Sequence, residues 1–134
     1  MKQFIINAPR ISVGLRRTYN MKIEIYEYDL DIKQTICHYR TKLGKWKSKP
    51  INDDQPKLAL TTLTQVLTTD VSYHRTLAFS TFEEALIAKI FLINKLRNGY
   101  LHTIEDIKQK MEKNCPDVSD ELNELKKKHA ELFV

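Results

Sequence analysis

Residues 71–99 read VSYHRTLAFSTFEEALIAKIFLINKLRNG, and two periodicities follow one another in that run. Val71, Tyr73, Leu77 and Phe79 fall on alternate positions, the pattern of a strand with one buried face. Ser80 and Thr81 are each followed three residues later by a glutamate, Glu83 and Glu84, which makes two overlapping capping boxes and predicts a helix from Phe82. Up to Arg97 that helix is apolar on nearly every side, through Leu86, Ile87, Ile90, Phe91, Leu92, Ile93 and Leu96, before Asn98 and Gly99 stop it. A helix without a wet face has to be covered. It is either the central core helix or, through residues 82–97, the interface of a homodimer.

Upstream of this stretch, alternation dominates. Ile11, Val13 and Leu15 recur every second residue, as do Met21, Ile23 and Ile25. A turn over Asp29 to Lys33 leads into a third extended run, Gln34 to Lys42, and Gly44 turns the chain into Lys45 to Ile51. Asn52 to Pro56 is a loop by composition, and the spacing of Leu60, Leu63, Val66 and Leu67 predicts a short helix near 57–68. Downstream, a helix from Thr103 buries Ile104, Ile107 and Met111 and ends before Pro116. Another repeats Val118, Leu122, Leu125 and Leu132, with lysines 126–128 near its end, where the helix dipole favours cations. The expected fold is α+β, an N-terminal, mostly antiparallel sheet packed against C-terminal helices. Residues 1–80 are mainly β and 81–134 helical, within a single domain 1–134 whose 42% hydrophobic content is enough for one core.

Charge is unevenly spread. Residues 1–50 hold 11 basic and 4 acidic side chains, a balance of +7, whereas 51–134 hold 11 and 13, a balance of −2. No acid lies between Asp31 and Asp53, a gap that contains Lys33, Arg40, Lys42, Lys45, Lys47 and Lys49 together with His38, Tyr39 and Trp46. A two-residue loop at Leu43 and Gly44 would pair Lys42 with Lys45 and put His38, Arg40, Lys42, Lys45, Lys47 and Lys49 on one face. Cys37, Tyr39, Thr41, Trp46 and Ser48 would then share the other, with Trp46 in the core. A three-residue loop with a bulge at Gly44 would redistribute both faces. Such a cationic face points to nucleic acid or a nucleoprotein as partner. Two other readings stand beside it: lysines that keep an edge strand from aggregating, and an interaction module that engages an acidic protein. The second would suit an inhibitor or adaptor of viral or mobile-element origin, in keeping with the Lys, Ile and Asn richness of an AT-rich genome.

Nothing in the chain spells out an enzyme. His38, His74, His102 and His129 have no ligand spacing, Cys37 and Cys115 are isolated, and three glycines do not form a phosphate-cradling loop, so no catalytic residue, metal or cofactor is expected. Two distant cysteines fit a reducing cytoplasm, and no apolar run approaches a membrane span. The acid-free first twenty residues, with Arg10, Arg16 and Arg17, leave an organelle transit peptide as the alternative to a cytoplasmic location.

The basic hairpin, followed by a strand and then by Phe79-Ser80-Thr81-Phe82-Glu83-Glu84-Ala85, resembles the sheet-then-helix arrangement of small DNA-binding domains such as the phage integrase arm domains. The resemblance implies a three-stranded sheet laid in the major groove. It covers the hairpin and the strand–helix joint, and the segment from Asn52 to Asp70 departs from the compact spacing of those domains.

Overall fold

The computed structural model describes residues 1–8, 22–41, 43–52, 57–68, 76–99 and 116–133. The alternation at Ile11 to Leu15, Lys42, the first half of the strand at 71–75 and the helix from Thr103 to Met111 lie outside the described residues. Within them, β1 (Lys2–Asn7), β2 (Glu24–Asp29), β3 (Gln34–Arg40), β4 (Trp46–Ile51) and β5 (Thr76–Phe79) form one sheet in the order β4-β3-β2-β1-β5, every neighbouring pair antiparallel. The helices are α1 (Leu63–Thr68), α2 (Phe82–Gly99) and α3 (Ser119–Lys128), the last followed by a 3-10 turn at Ala130–Leu132. The arrangement is α+β, as the two periodicities predict, but the sheet has five strands where the integrase-like resemblance implies three.

Strand alternation decides what the sheet buries. Ile6, Ile25, Leu77 and Phe79 point to the helical side and share one core with Leu63 and Val66 of α1, Ile87, Ile90 and Ile93 of α2, and Leu122 and Leu125 of α3. Full burial of each such side chain contributes about 1.5–3 kcal/mol. α2 lies at the centre, with the chain's own sheet, α1 and α3 packed against it and Leu86, Phe91 and Leu96 left partly buried. That packing realises the core-helix alternative for 82–97.

The start of α2 uses one of the two predicted boxes. Thr81 Oγ1 accepts the Glu84 N–H at 3.2 Å, and the Glu84 carboxylate accepts the hydroxyls of Thr81 (3.1 Å) and Ser80 (2.9 Å). Glu83 is left free for another task. Its carboxylate meets His129 Nε2 at 3.1 Å and Lys128 Nζ at 3.4 Å, which ties α2 to the end of α3 and holds the Glu83 carboxyl below its usual range, chiefly through the His129 contact.

On the opposite sheet face a smaller cluster forms from Ile5, Tyr28 and Ala78, covered by Leu58 and flanked by Tyr26 and Leu30. Buried Gln3 anchors the covering segment, donating from Nε2 to the Leu58 carbonyl at 2.6 Å and accepting the Leu58 N–H at 3.3 Å. Leu60 then forms a parallel bridge to Ala78, so the helix expected near 57–68 starts only at Leu63 and the residues before it run as an extra edge beside β5.

Candidate nucleic-acid interface

The hairpin register determines what the basic segment offers. Arg40 pairs with Trp46, Tyr39 with Lys47, His38 with Ser48 and Cys37 with Lys49, one residue out of step with a two-residue loop. The cause lies at the turn. Thr41 accepts the Gly44 N–H at its carbonyl (2.9 Å) and donates its own N–H to Lys45 O (2.8 Å), while Lys45 N–H reaches Thr41 Oγ1 at 3.2 Å. Gly44 takes φ +80°, a left-handed conformation open to glycine at little cost. This is the three-residue loop with a glycine bulge, and a one-residue slip sends every side chain of β4 to the other face relative to β3.

The six expected site residues are therefore divided. His38 and Arg40 face the helices with Trp46, whereas Lys45, Lys47 and Lys49 share the outer face with Tyr39 and Cys37; Lys42 lies outside the described residues. On the inner side both basic residues meet acids. His38 Nε2 lies 3.3 Å from Glu27, and Arg40 Nη1 lies 3.2 Å from Glu121 of α3. The rings of His38 and Trp46 meet Phe82 edge-on, with centroids 5.4 and 5.5 Å away. Trp46 is not a core residue: it remains 41% exposed at the mouth of a cleft of about 320 Å³ between the hairpin, α2 and α3. Arg40 and Lys128 line that cleft with Glu83, Glu121 and Glu124, beside Leu86 and Ile90, so acids outnumber cations by one.

The outer side is different. Lys45, Lys47 and Lys49 are all exposed, and no carboxylate lies within ion-pair distance of them among the described residues. Next to them, Tyr39 is half-buried with Lys49 Nζ 5.5 Å from its ring centroid. One strand further in, Tyr26 pairs with Cys37, and Glu24, opposite Tyr39, accepts the Tyr26 hydroxyl at 2.9 Å. Cys37 is buried beneath this surface. Burial and the charge of Glu24 push its thiol pKa up, which leaves it a poor nucleophile.

β4 is also an edge of the sheet. Its bonds to β3 run from the odd-numbered residues, as the Thr41–Lys45 bond dictates, so the backbone of Trp46, Ser48 and Pro50 faces outward. Pro50 supplies no donor there, which interrupts pairing with a further strand.

Tyr39 and Tyr26 are the residues that sequence reasoning did not group with the lysines. The signal for them was Gly44 after Thr-Lys-Leu, which suits a three-residue bulged loop better than a type I′ turn. Among the described residues there is no group of three His, Cys, Asp or Glu able to hold a metal and no helix long and apolar enough to cross a membrane. No protein-family model, no curated protein and no solved structure matches the chain.

Proposed function

We propose that the protein is a non-enzymatic binding protein that contacts nucleic acid, free or within a nucleoprotein, through the outer face of the β3–β4 hairpin, with Lys45, Lys47 and Lys49 as its phosphate-contacting groups. One observation carries this reading. Lys47 and Lys49 stand at alternate positions of exposed β4 and Lys45 at the turn just before it, without acids beside them among the described residues, while Arg40 and His38, from the same basic segment, are paired. Such a row of ammonium groups gains from a polyanion that neutralises it and releases its own counterions.

The test is the triple replacement of Lys45, Lys47 and Lys49 by glutamine, which keeps most of each stem and removes three charges. If each lysine neutralises a phosphate, the slope of log affinity against log salt falls by about 0.9 per lost contact on duplex DNA and about 0.7 on single strands, with little change in melting temperature. Absence of salt-dependent binding by the unsubstituted protein would refute the reading. The edge position of β4 and its Pro50 favour the second one, in which the lysines keep the strand from pairing and the same face meets an acidic protein, as an inhibitor or adaptor would.

A further inference from the structure

We infer that the ligand of this face is a single strand, held by stacking of a base on Tyr39 while Lys47 and Lys49 take the flanking phosphates; the inference rests on the proposed nucleic-acid contact and specifies its substrate class. The register carries the argument. It puts Tyr39 directly opposite Lys47 and diagonally from Lys49 on one face, so an aromatic ring and two lysines are cross-strand neighbours, with the Lys49 ammonium 5.5 Å from the ring centroid. Tyr26, diagonal to Tyr39 across the β2–β3 pair, offers a second ring on the same face.

Duplex and single strand use such a surface differently. In a duplex the faces of the bases are stacked on one another and hidden, so a tyrosine ring on the sheet surface finds no base face and only the lysines engage. A single strand can splay its bases onto aromatic side chains while its backbone follows the cations. In the free chain Lys49 Nζ lies over the Tyr39 ring, an exposed cation–π contact weaker than a base–aromatic stack. A base displaces the ammonium, which then turns to phosphate. Glu24 lies at the inner border of the face, opposite Tyr39 and bonded to Tyr26, and keeps the backbone path on the β4 side.

The experiment measures anisotropy of labelled oligo-dT and of a labelled duplex of equal length, over a range of salt, with the unsubstituted protein, Tyr39→Leu and Tyr39→Phe. Tighter binding of the single strand is expected. Tyr39→Leu weakens it by roughly five- to a hundredfold, as loss of one base stack does, leaves the salt slope unchanged because the ring carries no charge, and leaves duplex binding alone; Tyr39→Phe retains affinity. Should Tyr39→Leu fail to fold, NMR of the unsubstituted protein gives the same answer. Stacking moves the Tyr39 ring resonances upfield with oligo-dT and not with duplex. A duplex bound as tightly as the single strand, or Tyr39 indifferent to oligo-dT, overturns the stacking inference and leaves the lysine contact standing. Salt-dependent binding to neither probe overturns both, and the face then belongs to an acidic protein partner.

Discussion

Lys89 is an unusual element of the core, because a lysine in the middle of α2 is fully buried. Its ammonium donates to the Asn7 carbonyl at the end of β1, and burial lowers its pKa from 10.5 to about 8 despite the opposing pull of Glu24. In the unfolded chain the same group titrates near 10.5. Below about pH 8 both states hold the proton and the folded state carries the full cost of a buried charge. Between about 8 and 10.5 the unfolded chain binds more protons than the folded one, so stability contributed by this site rises with pH. The 2.5-unit difference corresponds to about 3 kcal/mol once the range is crossed, and to about 2 kcal/mol between pH 7 and 9.5. The perturbation is Lys89→Met, which keeps an unbranched side chain and removes the titration. Urea unfolding of both proteins at pH 7, 8.5 and 9.5 isolates the effect, since tyrosines and cysteines titrate alike in each. The unsubstituted protein should gain on the variant by about 2 kcal/mol over that range. Parallel profiles would refute the reasoning and mean that the ammonium is as well solvated in the fold as in the coil.

Gln3→Met should cost about 1–3 kcal/mol in denaturant unfolding, because the Leu58 carbonyl and N–H lose their buried partner; an unchanged midpoint would mean that this segment does not depend on the clamp. Gly44→Ala forces a Cβ into a left-handed conformation at φ +80°, so a loss of about 1–2 kcal/mol in thermal or urea unfolding is expected, and full stability would contradict the bulged loop. Glu83→Gln should remove part of the acid sensitivity. The lowered Glu83 pKa adds stability above the ordinary carboxylate value of 4.5 that is lost as the pH falls through the folded value, and with the side chain 40% exposed the whole effect stays below about 1 kcal/mol in acid titration of the melting temperature.

Local chemistry made the architecture legible. The Thr81–Glu84 box and the apolar run behind it specify where α2 begins and that it must be covered, because capping and periodicity act over a few residues whatever surrounds them. Alternation in the N-terminal half likewise announces strands with one buried face, and an α+β layout follows. What packs on α2 was not legible: the sheet, α1 and α3 lie against it, and periodicity states only that a face is buried and never against what. The basic segment was visible as composition, yet its division into paired and outward cations was not. A single left-handed residue at Gly44 shifts β4 by one position, and Glu27 and Glu121, remote in sequence, take His38 and Arg40 out of the exposed set. Register depends on turn geometry and ion pairing on tertiary proximity, so which of these cations face outward, and that Tyr39 stands beside them, was decided only when strands and helices came together.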